Sequence, residues 1–282
     1  DEFSLTLMVL PLDAPQSYLD RYIGRDLREP ACGDWDDTEA TERDGMMPAS
    51  VHGCRDAEMR HEALAGYYAA ITHIDHQVGR LISALKRDGS FNDTIIVFLS
   101  DHGEMLFDHS LWRKLLPYEG AAHIPLFIRM GTHIARTVPH RSESVVELMD
   151  VMPTLLDLCG IDVPAKVDGT SLAREVLDGA PIDRAYVHGE HAFTEEQSHH
   201  YIVTPRDKYI WFSQTGVERY FDLADDPREE HDLIADPARQ KRVDEMRFWL
   251  IRELEGREES FVRDGELVVG RPVVTVLSHP AI

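Results

Sequence analysis

Asp101 and His102 stand side by side where an apolar run, Thr94-Ile95-Ile96-Val97-Phe98-Leu99, stops at Ser100-Asp101-His102-Gly103. Together they offer an oxygen and a nitrogen ligand to a divalent metal ion. Lys114 follows twelve residues after His102, a fixed cation able to hold an anionic group. Metal ligands and a lysine in one short stretch point to hydrolysis of a sulfate or phosphate ester. Each residue also has a plainer role. Asp-His-Gly makes an ordinary strand-to-loop turn, and most lysines are simply solvated. Arg113 carries the same charge as Lys114, and spacing alone does not choose between them. His109 suits acid–base work or a substrate contact, but a lone loop histidine often does neither. Glu119 could tie the lysine or a backbone N–H, or place a carboxylate at a helix start.

A strand must carry the Asp-His pair to a sheet edge, and residues 94–100 read as that strand. In open α/β sheets, ligands bind beyond the carboxyl ends of the strands. Upstream, Leu64, Tyr67, Tyr68, Ile71, Ile74, Val78, Leu81, Ile82 and Leu85 recur at three- and four-residue steps, the pattern of one buried helical face, and Asp88-Gly89 ends it. Ile124–Ile128 is a second candidate strand. Ser144 is expected to open a helix that runs to a buried Cys159, with Pro153 kinking it or beginning a second piece. Phe3–Leu10 is apolar enough for a buried strand, and residues 11–55 read as a long surface excursion. From about residue 180 short runs at 185–188, 200–203, 208–212 and 219–223 read as antiparallel strands. A final helix spans about 237–255, packing through Val243, Met246, Leu250, Ile251 and Leu254. The expected fold is α/β: a mixed, mostly parallel sheet flanked by helices over residues 1–180. A smaller antiparallel α+β subdomain over 181–256 and a tail over 257–282 complete it.

A formal net charge of −22 argues against nucleic acid as a partner, because phosphate binding needs a basic face. The three cysteines, Cys32, Cys54 and Cys159, are too few and scattered for a disulfide framework. No apolar run reaches the length of a membrane span. The sequence begins Asp1-Glu2-Phe3, without Met or a signal-peptide pattern, and reads as a soluble cytoplasmic or periplasmic protein whose N-terminus is incomplete. His188, His191, His199 and His200, near Glu190, Glu195 and Glu196, read as a solvated polar loop in preference to a metal patch.

Taken together, the residues resemble the sulfatase family of the alkaline-phosphatase-like superfamily. The resemblance lies in Ser100-Asp101-His102-Gly103-Glu104, Asp108-His109, Leu111-Trp112, Lys114, Tyr118-Glu119 and Ile124-Pro125-Leu126. It continues through Asp150–Asp157, Asp168-Gly169-Thr170-Ser171-Leu172, Lys208-Tyr209-Ile210 and Glu218–Leu223, covering about residues 56–236. The resemblance implies an alkaline-phosphatase-like fold and metal-dependent hydrolysis of small-molecule sulfate monoesters. The implied metal is Ca2+, with Mg2+ or Mn2+ as alternatives. It also implies that Asp101 and His102 are metal ligands, that Lys114 contacts the sulfate and the leaving oxygen, and that His109 lies near the substrate.

The pattern also breaks. The family's nucleophile is a formylglycine made from Cys or Ser in a Cys/Ser-x-Pro-x-Arg motif, and no such motif is present: Cys32 precedes Gly33-Asp34-Trp35 and Cys54 precedes Arg55-Asp56-Ala57. The paired aspartates of the family's first strand are missing, and Asp34, Asp36 and Asp37 are a poor substitute. A His-x-Pro element is replaced by Leu10-Pro11-Leu12-Asp13, and Phe107 stands where the family often has Gly. No nucleophile is therefore assigned, and the isolated chain is expected to be inactive. A phosphonate monoester or phosphodiester hydrolase of the same superfamily is the nearest alternative. A non-catalytic remnant or interaction module is the alternative from another class.

Overall fold

The computed structural model describes residues 14–39, 52, 56–192 and 195–274. The expected strand at Phe3–Leu10 and the Leu10–Asp13 stretch lie outside them. A short helix, α1 (Gln16–Leu19), lies against the long helix α2 (Ala57–Asp88). The Asp56 carboxylate caps α2 by accepting from the Glu58 and Met59 N–H groups, and Gly89 closes it in the left-handed region. Leu64, Ala65, Ala69 and Ala70 are buried, whereas Ile71 of the expected apolar face is 43% exposed. Residues 27–36 are not a loose excursion. Ala31 is fully buried, and Leu27 and Trp35 pack against core clusters.

β1 (Ile96–Leu99) leads into the site segment. α3 (Glu119–Ala122) follows, and then β2 (Leu126–Arg129), which pairs antiparallel with β1 so that Leu99 faces Leu126. A parallel partner would need a crossover, usually helical. The chain between β1 and β2 instead folds back over the strand end. All strand pairs among the described residues are antiparallel.

The helix expected from Ser144 begins later, as α4 (Val151–Leu158). The Ser142 and Ser144 hydroxyls donate to Glu175 and cap no helix. The fully buried Asp150 carboxylate accepts from the Glu147 and Thr170 N–H groups and twice from Arg184, and so fixes the turn into α4. Pro153 falls in the first turn, where its missing N–H costs no helical bond, so it does not kink the helix. Cys159 is exposed, not buried, because it caps the solvent end of α4.

After α5 (Ala173–Asp178) come β3 (Val187–His191), β4 (His199–Val203), β5 (Asp207–Phe212) and β6 (Glu218–Asp222). They form one antiparallel sheet in sequence order, close to the strand runs read from the sequence. α6 (Gln240–Leu254) packs on one face through Val243, Met246, Leu250 and Leu254, against Ile202, Tyr209, Trp211 and Tyr220. The short hairpin β7 (Val262–Arg263) and β8 (Glu266–Leu267) follows, and Phe261 just before it completes that cluster. The other face of the sheet, through Ile210 and Phe221, meets Met105, Leu111, Tyr118 and Ala121 of the site segment. Sheet and site segment therefore share one apolar core. Among the described residues no helix is long and apolar enough to cross a membrane.

Candidate active site

The end of β1 is held by a close backbone approach. The Gly103 N–H donates to the Ala121 carbonyl and the Glu104 N–H to the Gly120 carbonyl, each at 2.7 Å. A Cβ on Gly103 would lie 2.1 Å from the Gly120 oxygen, so this crossing of strand end and α3 requires glycine.

Asp101, His102 and Lys114 are brought together there. His102 donates from Nδ1 to the Gly103 carbonyl at 2.7 Å, which leaves the Nε2 lone pair pointing outward. The Lys114 ammonium donates to that Nε2 at 2.8 Å, and the Asp101 Oδ2 lies 3.5 Å from it. The Asp101 side chain is 81% exposed and that of His102 34%. All three line a cleft of about 730 Å³, which residues of the C-terminal sheet, Tyr201 among them, also line.

The loop from Leu106 to Arg113 is tight and unusual. Leu106, Phe107, His109, Ser110 and Arg113 all take positive φ, though none is glycine. Such residues are uncommon, and a cluster persists only where surrounding structure over-determines it. Phe107, at φ 73, explains why glycine suits this position. Here phenylalanine is kept by burial against Leu64 and Leu106 and by stacking on Trp112. The loop closes on itself through Met105 N–H to Arg113 carbonyl and Phe107 N–H to Leu111 carbonyl, both at 2.9 Å. Asp108 anchors it outward by accepting from Arg28 Nη1 and the Ala31 N–H, both at 2.7 Å.

His109 is not brought to the cleft. It is 3% exposed and stacks on Trp35. Its Nδ1 meets the Asp36 carboxylate at 2.9 Å and its Nε2 the Arg228 carbonyl at 2.8 Å. Both partners can only accept, so both ring nitrogens donate and the ring is an imidazolium. Burial opposes that charge, but the Asp36 hydrogen bond and charge, with the Arg228 carbonyl, raise the His109 pKa. The geometry makes His109 a buried clasp between the site loop and residues 36 and 228. Asp36, offered as a poor metal ligand, is its partner.

Glu119 does not tie Lys114. It accepts from Lys208 at 2.6 Å, and Glu229 accepts from the same ammonium at 2.9 Å and from the Glu119 N–H at 2.7 Å. Burial works against ionising Glu119, but the Lys208 charge and a hydrogen bond from His123 outweigh it and hold the carboxyl down at about 2. Sequence reasoning missed Lys208 as a site-positioning group. Its signal was a lysine within the apolar strand Lys208–Phe212, too apolar a setting for a solvated side chain. The histidine-rich segment is not a polar loop either: His188, Glu190 and His191 lie on β3, and His199 and His200 are buried on β4. Burial, then the neighbouring His200, pushes His188 down to about 4, and burial pushes His199 down to about 3.

The family model described as Sulfatase matches residues 2–161, more than half the chain.

The chain belongs to the sulfatase family.

A second model, N-sulphoglucosamine sulphohydrolase C-terminal, matches residues 107–255. The sequence is 45% identical over 267 residues to an arylsulfatase of Clostridium perfringens, covering 94% of this chain and 55% of the relative. It is 34% identical over 193 residues to the multifunctional alkaline phosphatase superfamily protein PehA of Trinickia caryophylli, covering 62% and 37%. The phosphonate monoester hydrolase of Silicibacter pomeroyi is similar in structure, with a TM-score of 0.72 and 30% identity over 86% of this chain and 53% of that one. BT4656, solved in complex with its substrate D-glucosamine-2-N,6-O-disulfate, has a TM-score of 0.60 at 26% identity over 70% and 41%. The chain thus spans about half the length of that arylsulfatase.

The Asp-His pair fits a divalent cation in part. The fixed His102 tautomer presents a lone pair, and two donor atoms about 3.5 Å apart suit a shared ion. Calcium takes six to eight oxygen ligands, and among the described residues no third His, Cys, Asp or Glu joins this pair. The Lys114 ammonium also occupies the Nε2 direction that a cation would take.

Proposed function

We propose that this sulfatase-family chain carries the metal- and anion-binding part of a sulfuric ester hydrolase site, without the nucleophile. The observation that supports the reading best is the convergence of Asp101, His102 and Lys114 on one cleft. Asp101 and His102 would hold the cation, Ca2+ with Mg2+ or Mn2+ as alternatives. When bound, such an ion supplies charge stabilisation at a sulfuryl oxygen. Lys114 turns from His102 into the cleft and donates to the sulfate and the leaving oxygen, where developing negative charge makes a preplaced ammonium most effective. His102 keeps its lone pair toward the site because Gly103 holds the other nitrogen. His109 is kept out of the acid–base role, since neither of its nitrogens is free to exchange a proton with a ligand. Covalent catalysis needs a nucleophile that these 282 residues lack in recognisable form.

Two measurements test this. The purified chain is expected to bind inorganic sulfate in the presence of Ca2+, and Asp101→Asn or Lys114→Ala is expected to weaken it. The same chain should turn over 4-nitrophenyl sulfate no faster than buffer. Sulfate binding indifferent to both substitutions, or turnover at the rate of intact sulfatases, would falsify the reading. Because a phosphonate monoester hydrolase is among the structural neighbours, an aryl phosphonate monoester run beside the sulfate in a polypeptide that includes the nucleophile segment decides between the two substrates.

A further inference from the structure

The sheet ladder places three potential ligands on one face, away from Asp101 and His102. His188 and Glu190 are two residues apart on β3 and so share a face, and His200 of β4 stands directly opposite Glu190. His188 Nε2 lies 3.4 Å from His200 Nδ1, and His200 Nδ1 lies 3.2 Å from Glu190 Oε2. All three donor atoms fall within 4.8 Å of one another. The first distance is long for an imidazole hydrogen bond. It is the right length for the edge of a tetrahedron: ligand atoms about 2.0–2.1 Å from a central ion stand roughly 3.3 Å apart. His200 Nδ1 faces the Glu190 carboxylate and donates its proton there, so an ion in this position would take that proton's place; among the described residues the buried Nε2 has no hydrogen-bond partner.

We propose that His188, Glu190 and His200 form a second metal site, distinct from the Asp101–His102 pair, for a borderline divalent ion such as Zn2+. Two imidazoles and one carboxylate make a donor set that such ions favour over Ca2+, which prefers oxygen alone. The three ligands leave a fourth position, and Glu190, whose side chain is 44% exposed, places it toward solvent. Arg257 is the one cation at the site among the described residues that directly contacts a ligand. Its Nη1 donates to Glu190 Oε2 at 2.5 Å, while Glu259 accepts from its Nη2 at 2.8 Å and its Nε at 3.2 Å. Glu259 therefore neutralises much of its charge, and Arg257 orients the Glu190 carboxylate as outer-shell donors commonly do for metal ligands. The three side chains share the sheet face of Ile202 and Trp211, and Glu190 and His200 line a separate pocket with Arg257, Glu259 and Phe261.

The test uses the tag-free chain carrying Asp101→Asn and His102→Ala, which removes the first pair from the readout. Titration with Co2+ is expected to give one equivalent of binding with the intense visible bands of a tetrahedral ion, and Zn2+ is expected to displace it. In that background Glu190→Gln and His188→Gln should each weaken binding at least tenfold, while His191→Gln should leave it unchanged. Near-ultraviolet circular dichroism checks the fold of each variant. His188 is the half-buried member with no ion pair of its own among the described residues, so its variant keeps the test decisive should Glu190→Gln disturb Arg257. Absence of saturable Co2+ binding, a weak six-coordinate spectrum, or a titration unaffected by both substitutions overturns the proposal.

Discussion

At Lys114, one ammonium serves two neighbours that compete for it. It donates to the lone pair of His102 and stands where a cation bound by that imidazole would lie. Lys114→Ala is therefore expected to tighten divalent-cation binding while weakening sulfate binding roughly tenfold, the worth of one charge-assisted hydrogen bond. Calorimetric titration of the same protein with each ligand separates the two effects, and a fall in both affinities would show that the lysine supports the cation. His109 makes the contrasting case. Its buried imidazolium sits between Asp36 and the Arg228 carbonyl. His109→Gln should cost about 3 kcal/mol, because it strands a buried carboxylate. The sign with pH follows from the raised folded pKa. The clasp stabilises fully below the unfolded histidine value, about 6.5, and its contribution is lost as pH rises through the higher folded value. Urea midpoints for wild type and variant should accordingly converge at alkaline pH.

At the scale of elements, the strand end and α3 cross at glycine contact. Gly103→Ala would drive a Cβ to 2.1 Å from a backbone oxygen that cannot move without α3. We expect a loss of about 2–4 kcal/mol and a displaced His102, since overpacking against backbone leaves no flexible side chain to yield. Thermal unfolding together with sulfate titration reports both. A variant as stable as wild type would mean that the crossing is looser than the two 2.7 Å hydrogen bonds around it imply. The loop that follows spends left-handed conformations on five non-glycine residues, and three anchors, Asp108, Phe107 and His109, hold it in place. That loop sets where Lys114 emerges.

Across the whole molecule, Lys208 is the staple. It reaches from β5 of the C-terminal sheet to Glu119 of α3 and to Glu229, fully buried, and so joins the sheet to the segment that carries the site. Lys208→Met should cost about 3–5 kcal/mol, the effect of leaving buried carboxylates without their cation, and should lower sulfate affinity although the Lys208 ammonium is committed to Glu119 and Glu229. Acid should act through the same staple. Glu119 is held at about 2, well below the unfolded glutamate value of about 4.3. Its stabilisation is present above the unfolded value and is lost as pH falls toward 2. Denaturant midpoints taken down that range should drop in wild type and drop less in Lys208→Met. Equal slopes would remove Glu119 from the account of acid stability.

Local chemistry made much of this legible in the sequence. Three- and four-residue apolar steps gave α2 with its Gly89 stop, short runs separated by turn residues gave the four strands after residue 180, and the order of short motifs gave the family. These signals need only neighbours along the chain. The start of α4 was not legible, because buried Asp150 takes its bonds from Thr170 and Arg184, twenty and more residues away. The same limit applies to the site. Residue type and spacing nominated Asp101, His102, Lys114 and His109 alike. Only the fold separated them, by bending the chain so that three meet at a cleft while the fourth turns inward to Asp36. Lys208 with Glu119 and Glu229, and His188 with Glu190 and His200, are likewise products of strand register and packing. Charged groups far apart along the chain meet only when the core that buries them has closed.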